Sequence, residues 1–393
     1  MSGQYVCPSC SEAGMSVFYE VENAPVHSVL LLSTREEAVG YPSGDISLAL
    51  CTVCGFICNV AFDTTLHEYS AKYEATQSCS PTFNVFHRNL AAHLIDRFDL
   101  YDKDIIEIGC GQGEFLTLLC ELGGNRGVGF DPAYDGRRLD SEAKNRLTFV
   151  SDFYSEENAH YHGDFVVCKM TLEHILDTSG FVSTVRRSVG DRFETVVFFQ
   201  VPDVMRILRE QAFWDIYYEH CSYFSPGSLA RLFRRCGFDV IDLWKDYDDQ
   251  YLMVEAVPNR GQRSQPLPQE EDPVEVAQDV AYFVEHCQRK FHAWRHELQG
   301  IAQDGRRVVL WGGGSKAVAF LTTLTLAGEV EYVVDINPLK HGTFLAGTGQ
   351  EVVSPDFLRE YRPDVVVVMN SIYCDEIQAD LNGMGLNPEL VPV

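Results

Sequence analysis

Residues 104–113 read Asp-Ile-Ile-Glu-Ile-Gly-Cys-Gly-Gln-Gly. An apolar strand ends at Ile108, and Gly109, Gly111 and Gly113 then let the backbone turn tightly and lie against a ligand. Phe115, Leu116, Leu118, Leu119 and Leu122 mark the helix that follows. A second strand, Gly127 to Phe130, ends in Asp131, placed to accept both hydroxyls of a ribose. A third, Leu147 to Val150, is followed by Asp152 and Phe153, a pair suited to reading an adenine amino group and covering the ring. Strands from Asp164 to Met170 and from Glu194 to Val201 continue the alternation with helices that marks a parallel sheet. Ser225-Pro226 starts a helix that Gly237 ends. The strands near Phe238–Leu243 and Tyr251–Val257 have only a short turn between them and must be antiparallel.

Glu107 precedes the turn, the glycines are spaced GxGxG, and Asp131 and Asp152 recur at successive strand ends. That set resembles the class I S-adenosylmethionine-dependent methyltransferases, and the terminal reversed hairpin is typical of their fold. The resemblance implies S-adenosylmethionine held by Glu107, Gly109, Gly111, Gly113, Asp131, Asp152 and Phe153. The competing reading is an NAD-binding oxidoreductase. Its phosphate turn would sit at a helix start free of acidic side chains, whereas Glu107 and Glu114 flank this one.

Cys7-Pro-Ser-Cys10 and Cys51-Thr-Val-Cys54 form a paired CxxC pattern. Two such turns complete a tetrahedral four-thiolate zinc site, closed and therefore structural. The long gap from Cys10 to Cys51 predicts a small sheet between the knuckles, and Gly55 suits the second tight turn. The alternative is four thiols that are merely buried or redox active.

Residues 217–225, Tyr-Tyr-Glu-His-Cys-Ser-Tyr-Phe-Ser, and 69–81, Tyr-Ser-Ala-Lys-Tyr-Glu-Ala-Thr-Gln-Ser-Cys-Ser-Pro, lack the clean period of a core element. Both crowd hydroxyls with a carboxylate, the first with an imidazole as well. A four-cysteine lobe, a methyltransferase core, a Tyr-x-Glu-His…Tyr-Phe-Ser segment and a C-terminal α/β domain occur together in the sugar C-methyltransferases that branch deoxysugars at C3. The chain resembles that family over nearly its whole length. The resemblance implies a nucleotide-linked 4-keto sugar as the small-molecule substrate. It also implies His220 as the base that removes the C3 proton, with Tyr217, Glu219, His174 and Tyr73 in the same pocket. Glu219 is expected to orient His220. For His220 the plain alternative is a bond to a loop carbonyl, and for His174 a place on the cofactor rim. An O- or N-methyltransferase of a small metabolite is the competing activity. Asn23-Ala-Pro-Val-His-Ser28 and Val368-Met-Asn-Ser371 depart from the family's usual turn and proline-tryptophan-asparagine pattern, so C-methylation is better supported than the identity of the nucleotide.

Residues 307–310, the turn Trp311-Gly-Gly-Gly-Ser-Lys316, a strand ending in Asp335 and Val365–Val368 predict a second Rossmann-like domain. Its turn lacks GxGxxG, and it is expected to close the substrate pocket, with Lys316, Lys340 or His341 near a phosphate. The expected α/β organisation is a zinc lobe over 1–65, a methyltransferase domain with a helical lead-in over 66–257, a linker and connecting helix over 258–300, and the second Rossmann-like domain over 301–393. Residues 66–100 read as helical, with Phe83, Phe86, Leu90, Leu94 and Ile95 at helical spacing.

The 393 residues are 46% apolar and 22% charged, with 31 Lys plus Arg against 57 Asp plus Glu, a net charge of −26. That balance disfavours nucleic acid and anionic membrane as partners. No apolar run approaches the roughly 20 residues of a membrane span, and residues 1–30 lack a signal peptide's pattern. The expected location is the cytoplasm, where the 13 cysteines stay reduced.

Overall fold

The computed structural model describes residues 5–66, 73–136, 140–261, 264–326 and 328–393. The amino-terminal part contributes strands β1 (Ser16–Pro25), β2 (Ser43–Leu50) and β3 (Ile57–Asn59). The centre holds β4 (Asp104–Ile108), β5 (Arg126–Phe130), β6 (Leu147–Val150), β7 (Phe165–Lys169), β8 (Val196–Pro202), β9 (Ser222–Tyr223), β10 (Phe238–Asp246) and β11 (Tyr251–Pro258). After the 31-residue helix Pro273–Gln303 come β12 (Val308–Trp311), β13 (Tyr332–Val334), β14 (Glu351–Val353), β15 (Val365–Val368) and β16 (Glu389–Pro392).

The central seven-stranded sheet runs β10-β11-β8-β7-β4-β5-β6, with β11 antiparallel to both its neighbours and the other pairings parallel. Its inner strands are buried on both faces. Phe165, Val167 and Phe198 pack with Leu90, Leu94, Phe115 and Leu116 on one side. Val166, Val197 and Phe199 pack with Leu229 and Phe233 on the other. This is the period-two alternation of a pleated strand, with apolar residues facing helices both ways. The C-terminal sheet is wholly parallel in the order β14-β13-β12-β15-β16.

The amino-terminal sheet, β1-β2-β3-β9, is antiparallel, and its last strand comes from the middle of the chain. Ile57 pairs with Tyr223 and Cys58 with Ser222. The Tyr-x-Glu-His segment is therefore fixed at one end to the cysteine-bearing lobe.

The helical reading of 66–100 holds from Pro81 onward and is corrected over 73–80. The long helix there spans Pro81–Phe98, capped by Ser80, whose hydroxyl accepts from Phe83 N. Pro81 in the first turn sets that start, because proline has no amide hydrogen to offer an earlier turn. Thr64–Leu66 is one short 3-10 turn, and residues 73–80 run without helix along a cleft. The segment 69–81 enters the described structure only at Tyr73. Among the described residues no helix is long and apolar enough to cross a membrane.

Candidate active site

Two cavities meet at the carboxyl ends of the central strands. The larger, about 760 Å³, is lined by Glu107, Gly109, Gly111, Asp131, Asp152, Phe153 and Lys169. The other, about 330 Å³, is lined by Glu173, Tyr217, Glu219 and His220, with Lys316, Asp335 and Asn370 from the C-terminal domain. Tyr73, Met170, His174 and Tyr251 line both, so the two share a wall.

The first cavity is built by the glycine turn. Gly109 and Gly111 have φ of +70° and +54°, and a Cβ on Gly109 would come 1.9 Å from Thr171 Oγ1. Gly111 N donates to Asp131 Oδ2 and Ala133 N to Oδ1, both at 2.8 Å. Asp131 is thus locked at the strand end, and burial pushes its pKa up. Glu107 accepts from Leu116 N at 2.9 Å, and burial lifts it to about 8. Gly113 does not line the cavity. It stands against Phe149 at the start of the helix Glu114–Gly123 and shapes the turn from behind. Asp152 and Phe153 are at the rim, with Phe153 60% exposed. Two side chains that sequence reasoning passed over complete the wall. Lys169 Nζ lies 2.7 Å from His87 Nε2, and burial lowers their pKa values to about 7 and about 2. The acidic and glycine-rich wall, with Asp131 at the strand end, fits a cofactor with a ribose.

In the second cavity His220 is 5% exposed. Its ring centroid lies 4.1 Å from that of Tyr217 and 4.9 Å from that of His174, the histidines meeting edge to face. Burial, His174 and Lys316 hold His220 well below the usual histidine range, so the imidazole is neutral at physiological pH. Burial keeps the Tyr217 phenol protonated. Glu219 does not orient His220. Its Oε1 accepts from His27 Nδ1 at 3.1 Å, and its Oε2 accepts from Ser28 N at 3.0 Å and contacts the Ser28 hydroxyl. Burial pushes this carboxyl upward, but the bonds from His27 and Ser28 outweigh it and hold Glu219 below the usual carboxylate range. Ser28 Oγ also lies 2.7 Å from Ser315 Oγ in the C-terminal glycine turn. His27 and Ser28 lie in the segment that departs from the family's pattern, and nothing local in it announces a partner 192 residues away. Glu173 was overlooked beside His174, although it follows the fourth strand in the position where this fold presents side chains to ligands.

The four cysteines converge. All are buried, with their sulfurs within 4.8 Å of one another. Cys7 and Cys54 are 3.7 Å apart and Cys10 and Cys51 3.6 Å. Sulfurs bound at ~2.3 Å to one tetrahedral zinc stand about 3.8 Å apart, so the donor set fits that ion. Cys58 is separate, 3.9 Å from the Met15 sulfur.

The C-terminal turn repeats the first one's geometry. Gly313 N donates to Asp335 at 2.9 Å and Asn337 N at 2.8 Å. Here Lys340 Nζ sits 3.0 Å from the same carboxylate and so occupies the acid that would hold a second ribose. Lys316 reaches across to Asp215 at 2.5 Å. His341 Nε2 lies 2.7 Å from the Asp335 carbonyl.

The strand order and the acid-preceded glycine turn define an α/β class I methyltransferase Rossmann-like fold, followed by a second α/β domain. The family described as "Methyltransferase domain" matches residues 83–243, and that described as "C-methyltransferase C-terminal domain" matches 256–386. The C-methyltransferase NovU of Streptomyces niveus is 29% identical over 307 residues, 74% of this chain and 72% of its own length. Among solved structures, magnesium protoporphyrin IX methyltransferase of Synechocystis PCC 6803 with bound SAH is 14% identical at a TM-score of 0.36, over 45% of this chain and 84% of its own. The Haloferax volcanii complex of the Trm112 methyltransferase activator with a methyltransferase gives 14% and 0.34, over 48% of this chain and 100% of its own. The chain is an S-adenosylmethionine-dependent C-methylating enzyme.

Proposed function

We propose that the enzyme methylates a carbon beside a ketone, C3 of a nucleotide-linked 4-keto deoxysugar, through an enolate that His220 generates. One observation carries the reading: a neutral, buried imidazole lines the acceptor cavity against His174, which belongs to the cofactor cavity too. A carbon acceptor has no lone pair, so a base must first remove its proton, and a neutral imidazole in reach of that proton is such a base. Tyr217 and His174 supply donors for the enolate oxygen. Glu107, Gly109, Gly111, Asp131, Asp152 and Phe153 hold S-adenosylmethionine, which when bound supplies the electrophilic methyl. Tyr73 closes the shared wall. The match to a C-methyltransferase domain favours carbon over oxygen or nitrogen as the acceptor.

Cys7, Cys10, Cys51 and Cys54 hold one structural zinc in this reading, and the enzyme works in the cytoplasm. The chain divides at 65/66, 257/258 and 300/301, and its last domain closes the substrate cavity.

The test uses dTDP-4-keto-6-deoxyglucose in deuterated water. The wild-type enzyme exchanges the proton at C3, and His220→Asn lowers exchange and turnover by about 10²–10⁴-fold, the usual worth of a positioned base. A methyl group found on oxygen, or undiminished exchange in His220→Asn, rejects the reading.

A further inference from the structure

Every other buried carboxyl around the two cavities has donors. Glu107 has Leu116 N, Asp131 has Gly111 and Ala133, Asp215 has Lys316 and Arg206, and Glu219 has His27 and Ser28. Glu173 is the exception. It is 1% exposed, and among the described residues both its carboxyl oxygens are buried without a hydrogen-bond partner. Leaving such a group unpaired destabilises the fold, so its retention asks for a reason.

Its surroundings supply one. A carboxyl oxygen of Glu173, a nitrogen of His174 and a nitrogen of His220 lie within 4.8 Å of one another. The other titratable groups facing it are Cys168 at the end of β7, Tyr217 and Cys221 from the acceptor loop, and Tyr251 at the start of β11. Burial keeps all four protonated and keeps both histidines neutral, so no cation stabilises a charge on Glu173. Burial accordingly lifts its pKa to about 8. Glu219, held by His27 and Ser28, is ionised. Two carboxyls pushed apart by their environments in one site divide the roles of acid and base.

We propose that Glu173 is a positioning residue for enolate formation, lending its proton to His174 as His220 takes the proton of the substrate. The inference rests on the enolate reading and deepens it. The substrate C–H bond breaks, its proton bonds to His220 nitrogen, and its electron pair stays as the enolate. In the same event the Glu173 O–H bond breaks and an N–H bond forms on His174, the proton relayed through one water because the two side chains are not in direct hydrogen-bond contact. Two imidazolium charges then face one enolate and one carboxylate, so the buried site stays neutral as charge develops. Once the carbon has been methylated, His174 returns its proton to Glu173 and His220 releases its own to solvent.

The experiment measures turnover and C3 deuterium exchange of dTDP-4-keto-6-deoxyglucose between pH 6 and 9.5, with S-adenosylhomocysteine affinity by calorimetry. Glu173→Gln keeps the shape but has no proton to lend. It is expected to keep KM and S-adenosylhomocysteine affinity within about threefold while kcat and exchange fall about 10²-fold. The wild-type rate falls above about pH 8 as Glu173 ionises, a limb absent from Glu173→Gln. Glu173→Asp restores at least about a tenth of the exchange and the alkaline limb. Should Glu173→Gln fail to bind S-adenosylhomocysteine, Glu173→Asp decides, and a folded but exchange-dead Asp variant overturns the proposal. Wild-type exchange with an unaffected Glu173→Gln overturns it while leaving the enolate reading intact. Absence of exchange in the wild type overturns both.

Discussion

His27 and Glu219 stand 192 residues apart in the chain and 3.1 Å apart in the fold. The contact joins the amino-terminal lobe to the segment that carries His220. It also explains why a carboxylate buried to 1% exposure stays ionised.

Removing His27 should therefore weaken the protein and move its acid limit. His27→Ala deletes a charge-assisted buried bond worth about 1.5–3 kcal/mol. Glu219 titrates below its ordinary value of 4.5 in the folded protein. Its contribution is therefore complete above that value and lost as pH falls through the folded pKa. In His27→Ala the folded pKa rises, and the loss sets in at higher pH. Urea unfolding from pH 7 to pH 4, wild type against variant, checks both size and sign. Identical curves would mean Ser28 alone holds the carboxylate.

Lys316 and His220 give a second pH prediction. Lys316 helps hold His220 unprotonated, so kcat/KM should stay level as pH falls through the ordinary histidine value of 6.5 and decline only below it. Lys316→Met removes that repulsion and should carry the acid limb upward. A limb that does not move would detach Lys316 from the base.

Asp131 holds its own turn through Gly111 N and Ala133 N, and in the proposed function it also holds the ribose. Asp131→Ala should weaken S-adenosylhomocysteine binding by about one to two decades, the loss of one charge-assisted bond. Gly109→Ala, with φ +70° and Thr171 in the way of any Cβ, should abolish binding. Calorimetry on both variants measures this, and unchanged affinity in Asp131→Ala would place the ribose elsewhere.

For the cysteine lobe, elemental analysis should find about one zinc per chain, since four thiolates close one tetrahedral site. Cys51→Ser should lower the melting temperature while S-adenosylhomocysteine affinity survives. Active protein free of zinc would contradict the assignment.

What the chain disclosed beforehand followed from how local each constraint is. Gly109, Glu107 and Asp131 are legible as one cluster because turn and strand ends fall within one strand-helix-strand unit, which brings all three to one cavity. The cysteine pairs are legible because each CxxC brings two sulfurs together by itself. The role of Glu219 was misassigned because adjacency to His220 in sequence points their side chains to different neighbours. His27, Lys169 and Glu173 were missed for a related reason. Their significance comes from burial and from partners, or the lack of them, which no single stretch records. In the lead-in, the apolar spacing after Phe83 belongs to a helix that begins only at Pro81, and it says nothing of the residues before that proline.

The two-residue strand Ser222–Tyr223 has a consequence for anyone recombining this enzyme with a relative. Because it pairs with Ile57 and Cys58, the unit that would have to be exchanged to transplant acceptor preference is not contiguous. A chimera joined at the lobe's carboxyl end would bring a foreign edge strand against the host's 217–225 segment and foreign residues to positions 27 and 28, against Glu219. Crossovers that move both pieces together preserve the match between the lobe and the segment that carries His220. Single crossovers between them break it, while the glycine turn and the central sheet remain whole.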